Sequence, residues 1–288
     1  VSSLQWHHRP ALRRPVLLAG FEGWNDAGDA ASGAIRWLAD RFDAELIAKI
    51  DAEEFFDFTT TRPIVSTNDD GEREITWPDT ELWAATTETD RDLVLLLGPE
   101  PHLRWRTYAS AVAEAARTLD CSLVLTLGAL LADVPHTFPT RVSGTTDDPV
   151  LAQRLGLVRN DYEGPTGIVG ALHVALAEGG QRAASLWATV PNYVSGAPSP
   201  KATLALVERT LTILGIDRAT TDLEIATASY ERQLDELIAD DEDTAAYVAD
   251  LESSMQGLDD EDDDDQDLAS TDPATLVEEV ERFLRGEP

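Results

Sequence analysis

Cysteine, basic charge and long apolar runs are all scarce in this chain of 288 residues, and each scarcity excludes something. The only cysteine, Cys121, rules out an intrachain disulfide; beside the apolar run "SLVLTLG" it is expected to be a buried, inert thiol, in keeping with a reducing cytoplasm. Lys and Arg number 22 against 54 Asp and Glu, a net charge of −32, which opposes approach to nucleic-acid phosphates and to anionic lipid. No stretch reaches the roughly 20 apolar residues of a membrane span. The opening "LQWHHRPALRRPVLLAGFEG" has an apolar stretch too short for a secretory leader, soon followed by Glu22 and Asp26. The expectation is a soluble cytoplasmic protein with neither nucleic-acid nor membrane partners.

Chemical signatures are as sparse. There is no nucleophile elbow G-x-S-x-G, no H-E-x-x-H and no C-x-x-C. No catalytic residue, metal or cofactor is therefore assigned, and whether the chain is an enzyme stays open.

What is present is a folded domain with an acidic end. Apolar residues make up 43% of the chain, with seven Trp, ample for one large core. From residue 221 onward there are 24 acidic and 3 basic residues, so most of the charge sits in the last quarter.

Apolar runs and helical spacing alternate up to about residue 220. "PVLLAG" (15–20) reads as a buried strand, 29–42 as a helix and "AELIAKI" (44–50) as a strand, a β-α-β opening that favours a parallel pair. "REITW" (73–77) and "ELWAATT" (81–87), separated by "PDT", suit a hairpin or a local antiparallel addition, and "DLVLLLG" (92–98) a central strand. A helix at 103–120, a strand at 122–130, a loop at 132–149, a short helix at 150–155, a helix within 164–180, a strand at 183–190 and a helix at 199–215 follow. The fold class expected is α/β: three layers, a mainly parallel sheet with helices on both faces, plus a C-terminal helical extension. The divisions are 1–220 for the α/β domain, 221–255 for amphipathic helices, 256–272 for a disordered linker containing the run "DDEDDDDQD", and 273–288 for a short terminal helix.

Ligand-binding candidates come from loops that follow expected strands, where open α/β sheets place their sites. The turn "GFEGWNDAGD" carries Glu22, Asn25, Asp26 and Asp29. Its strand–turn–helix shape suits an anion, but its carboxylates repel one, and Asp29 is placed to cap the helix instead. The turn therefore reads first as a corner and second as a site. His136, in "ADVPHTFPT", has Asp133 three residues earlier; Asn192, with Tyr193, lies in the turn closing "WATVPNYV". His7 and His8 fall in an arm, His102 at a helix start and His173 in an Ala-rich helix. The glycines of "GPTGIVGAL" suit close helix packing.

Taken in order, "GFEGWNDAGDAASGAIRWL", "TLGALLADVPHTFPTRVSG", "GPTGIVGALHVAL", "WATVPNYV" and "SPKATLALVERTLTILGI" resemble the PAC2 family, in its actinobacterial branch, over about residues 15–250. The resemblance implies a three-layer α/β fold like that of nucleoside phosphorylases, with no established reaction. It also implies homo-oligomers and partners among proteasome subunits, since better-studied relatives are chaperones that hold proteasome α subunits during ring assembly. The sequence closes on "FLRGEP" rather than on the hydrophobic-Tyr-X tail such partners insert, so contact is expected through another surface. Two readings stand: a non-catalytic assembly chaperone or scaffold, and a binder or enzyme for a nucleoside- or phosphate-bearing small molecule with its pocket at the strand ends.

Overall fold

A computed structural model describes residues 3–68, 70–160 and 162–261. The terminal helix expected at 273–288 and all but the start of the acidic run lie outside the described residues. Eleven strands are present among those residues: β1 (Leu4–Trp6), β2 (Val16–Glu22), β3 (Glu45–Ile50), β4 (Ile64–Thr67), β5 (Arg73–Thr76), β6 (Thr80–Ala85), β7 (Leu93–Pro99), β8 (Leu123–Ala132), β9 (Val142–Thr146), β10 (Val158–Arg159) and β11 (Ala183–Pro191). The helices are α1 (Ala30–Arg41), α2 (Trp105–Thr118), α3 (Pro149–Leu155), α4 (Ile168–Glu178), α5 (Pro200–Leu214), α6 (Thr221–Ala239) and α7 (Glu242–Glu261).

Nine strands form one sheet in the order β1-β3-β6-β7-β2-β8-β11-β9-β10. Its centre, β7-β2-β8-β11, is parallel throughout, whereas β1, β3 and β6 pair antiparallel on one side and β9 runs antiparallel to β11 on the other. The sheet is thus mixed around a parallel core. The β-α-β opening does not make a hydrogen-bonded pair, because β6 and β7 lie between β2 and β3. The hairpin also differs from expectation: β5 pairs with β4 in a separate two-stranded sheet, while β6 joins the main one. Between β4 and β5, Gly71 takes φ +83° and Asn68 Oδ1 accepts from the Glu72 N–H at 2.8 Å.

The central strands are apolar on both faces because helices cover both. Leu17, Ala19, Phe21, Val94, Leu96 and Val124 point into a core shared with α2 and α4. The alternate residues Val16, Leu18, Leu93, Leu95, Leu125 and Leu127 point into a second core with α1 and α5. Truncating one of these leucines to Ala should cost about 2–5 kcal/mol. Cys121 is half-buried beside the α2 core, and burial, with Asp120 nearby, pushes its thiol up to about 12.

Helix ends follow side-chain chemistry. Ser199 accepts from the Ala202 N–H to start α5, Pro200 sits at its first position, and Gly215 in the left-handed conformation stops it. Helix α6 is fastened to α1 by Asp222, which accepts from Trp37 Nε1 and from Arg41, both at 2.8 Å. Helix α7 continues to Glu261, past the residue 255 limit read from the sequence.

Candidate functional site

The edge where β2, β7, β8 and β11 end collects every candidate named from the sequence, in two clusters. The first is the turn after β2. The Asn25 carbonyl accepts from the Ala129 N–H at 2.9 Å, and Asp26 bridges to Ala129, so the turn continues toward β8. Asp26, only 5% exposed, accepts through Oδ1 from the Ala31 N–H at 2.7 Å and the Ser32 N–H at 3.1 Å. It therefore caps α1, not Asp29, whose backbone is left-handed at φ +50° and whose side chain makes no cap bond. Burial raises the Asp26 carboxyl above its ordinary value, against the bonds from Ser32 and Ala31.

Asn25 is buried and donates through Nδ2 to Glu100 Oε1 at 3.2 Å; the same oxygen accepts from the Ile168 N–H, at 2.9 Å, where α4 begins. Gly167 packs tightly against this pair: a Cβ there would stand 3.0 Å from Glu100 Oε1 and 3.2 Å from Asn25 Nδ2. Glu22 pairs with Arg36. The N-termini of α1 and α4 are thus occupied by the chain's own carboxylates, Asp26 and Glu100, in the places a bound anion would take. Gly28, at φ +59°, lies so close to Ser199 that a Cβ would be 2.8 Å from its Cβ, and the Gly28 carbonyl accepts from the Ser199 N–H at 2.7 Å. This packed corner joins the first cluster to the second.

The second cluster centres on His136, 3% exposed in the loop after β8. Its backbone N–H donates to the Tyr193 hydroxyl oxygen at 2.7 Å, so in the neutral network the hydroxyl hydrogen goes to His136 Nδ1, at 2.8 Å. That leaves Nε2–H to donate to Asp235 Oδ1 at 3.0 Å, an assignment that follows from the bonding pattern. Burial pushes the Tyr193 phenol up to about 12, which keeps it a donor.

Asn192 and Tyr247 both donate to Asp133 Oδ1, Tyr247 at 2.7 Å. The carboxylate three residues before His136 therefore serves another pair, and the histidine's acidic partner comes from α6, 99 residues away. Lys201 donates to the His136 carbonyl and to Glu231, while Thr137 donates to Glu252 of α7. Beneath α6 and α7 the space among Val134, His136, Phe138, Tyr230 and Met255 is about 10 Å³, room for one water at most.

The structure thus brings His136 and Asn192 together through the Tyr193, Asp133 and Tyr247 network, and sets Glu22, Asn25, Asp26 and Asp29 in the other cluster. Reading the sequence missed Glu100, Lys201, Asp235 and Tyr247. Only Glu100 carried a signal, its place directly after a central strand. Among the described residues no three His, Cys, Asp or Glu side chains converge in a group fit for a metal ion, and no helix is long and apolar enough to cross a membrane.

The model of the PAC2 family matches residues 20–238, from the middle of β2 to the last turn of α6. The chain belongs to the PAC2 family. A PAC2 family protein from Streptomyces avermitilis is 45% identical with a TM-score of 0.76, the match covering 81% of this chain and 99% of that one. A proteasome-assembly chaperone homologue from Mycobacterium tuberculosis is 42% identical with a TM-score of 0.73, over the same shares of the two chains. An archaeal proteasome activator from Pyrococcus furiosus shares the fold at 18% identity, TM-score 0.66, over 81% of this chain and 97% of its own. No curated protein matches the sequence. The PAC2 match takes in His136, Tyr193 and Asp235; Tyr247 and Glu252, on α7, lie beyond it.

Proposed function

We propose that this PAC2 chain is a cytoplasmic, non-catalytic, homo-oligomeric assembly chaperone or scaffold whose clients are proteasome subunits. The observation that carries the reading is where apolar surface is filled and where it is left open. At the strand ends, the place an α/β enzyme would keep a pocket, the chain's own side chains fill the space. The β4–β5 hairpin, by contrast, presents Ile64, Val65, Ile75 and Trp77 to solvent, with Ile64 67% and Ile75 54% exposed. Val65 and Ile75 stand opposite each other in the ladder and share one face, and apolar side chains grouped in this way are the kind of surface a protein partner covers. Helix α6 adds Ile225 and Leu237, 66% and 68% exposed, two separate apolar positions open to a second copy of the chain. The likeness to the Mycobacterium tuberculosis proteasome-assembly chaperone homologue supports proteasome subunits as the clients, and the net charge of −32 argues against nucleic acid and anionic membrane. In domain terms, 1–220 supplies the scaffold and 221–255 the helices that seal its strand-end face.

The test is co-expression of the full chain with the proteasome α and β subunits of its own organism, followed by native mass determination. A defined complex containing α subunits supports the reading. Val65→Asp with Ile75→Asp, both exposed and on one face, should keep the melting temperature and weaken α-subunit capture at least tenfold. A chain that purifies without α subunits would overturn the client assignment, and undiminished capture by the double variant would overturn the hairpin's part in it.

A further inference from the structure

The opposite edge of the sheet, where the parallel strands begin, holds five of the chain's 22 basic residues in one cleft. Arg14, Arg91 and Arg182 stand one or two residues before β2, β7 and β11, so the parallel core itself brings them to one line. Arg154 from α3 and Arg209 from α5 face them, and the cleft they enclose measures about 430 Å³, in the size range of small-molecule sites. In a chain with more than twice as many acids as bases this concentration is the reverse of the average surface.

Carboxylates neutralise only part of it. Arg14 pairs with Asp90, and Arg182 Nε lies 3.2 Å from Asp148 Oδ2, an aspartate whose other oxygen caps α3. Arg209 donates to the Leu155 carbonyl at 2.9 Å. Arg91 and Arg154 have no side-chain hydrogen bond or ion pair among the described residues. Five guanidiniums against two carboxylates leave an excess of three positive charges, with two donor forks unengaged. Between them Leu123, Leu151, Leu155 and Ile213 give an apolar lining.

We propose that this cleft binds a small polyvalent oxyanion, a phosphoester or polyphosphate. A guanidinium fork matches the paired oxygens of such a group bidentately and stays charged at any working pH. A monovalent anion would satisfy one fork and leave the rest mutually repelling, whereas a ligand with two or more charges relieves that repulsion across the cleft. The apolar lining accepts an organic body attached to it. The site is independent of the chaperone reading, since it uses neither the hairpin nor the strand-end face.

Titration calorimetry of the full chain with tripolyphosphate, at about 0.15 M salt where charges more than about 8 Å away are screened, tests it. Saturable binding at one site per chain is expected, with sodium chloride at the same ionic strength giving none. Arg91→Ala with Arg154→Ala removes the two unengaged forks without breaking a hydrogen bond or ion pair; it should keep the melting temperature and weaken binding at least tenfold. No saturable binding to the unaltered chain, or equal affinity in the double variant, would overturn the proposal.

Discussion

His136 Nε2 lies 3.0 Å from Asp235 Oδ1, and through that bond a loop at the end of β8 holds α6 across the strand ends. The two ends of the bond sit in different surroundings: the His136 side chain is 3% exposed and that of Asp235 61%. Losing Asp235 lets water approach the donor from the open side, whereas losing the Tyr193 hydroxyl strands both His136 Nδ1 and its backbone N–H within the fold. An unsatisfied buried polar group costs about 1–3 kcal/mol, so Tyr193→Phe should destabilise more than Asp235→Ala, and Asp235→Ala should fall at the low end. Urea unfolding at constant m-value ranks them. A larger loss in Asp235→Ala would mean the aspartate, and not the phenol, positions the histidine.

A second prediction concerns Asp26, where two effects compete. The N-terminus of α1 favours a charged carboxylate, while burial disfavours one. Burial is the larger, and the carboxyl is raised above its ordinary value of 3.8. A raised folded value means that this group's contribution to stability is whole below the unfolded value and is lost as pH rises through the folded one. Asp26→Asn keeps an oxygen for Ala31 and Ser32 and has no proton to lose, so its stability relative to the native chain should improve as pH climbs from about 3.5 to 7. Asp26→Ala should lose about 0.5–2 kcal/mol for the missing cap. If the Asn variant instead loses ground with rising pH, the helix terminus outweighs burial.

Elements buried on both faces were legible in the sequence, and contacts between distant segments were not. The runs "PVLLAG", "DLVLLLG" and "SLVLTLGAL" marked β2, β7 and β8 because a doubly covered strand must be apolar throughout. Ser199, Pro200 and Gly215 likewise marked α5. Strand β4 leaves no such trace: all four of its residues are exposed, so no burial pattern distinguishes "IVST" from loop or marks it as the partner of β5. Similarly, the separation of β2 from β3 depends on β6 and β7 inserting between them, which local pattern does not encode. At the site, proximity in sequence misled twice. Asp29 adjoins α1, yet Asp26 is the residue whose backbone geometry lets a carboxylate reach back to the N–H groups. Asp133 is near His136 in the chain, yet it faces Asn192 and Tyr247.

His173 gives the last prediction. It lies on α4, and its Nε2 sits 3.1 Å from Thr126 Oγ1 and 3.2 Å from Ser185 Oγ, both on central strands. Burial lowers its value from 6.5 to about 4, against a weaker upward pull from Asp147. Because the folded value lies below the unfolded one, the unfolded chain takes up the proton first. The stabilising contribution is whole above pH 6.5 and is lost as pH falls toward 4, the window set by those two values. Between pH 7.5 and pH 5 the loss should be roughly 2 kcal/mol. His173→Gln, which retains a side-chain amide for the two hydroxyls, should flatten that part of the stability curve, so the difference between variant and native chain should narrow or reverse as the solution is acidified. Urea unfolding at the two pH values measures the effect, and nuclear magnetic resonance of the imidazole ring reads the titration directly. A ring that titrates near 6.5 in the folded chain, or two stability curves that fall in parallel, would show that α4 opens enough for water to reach the histidine.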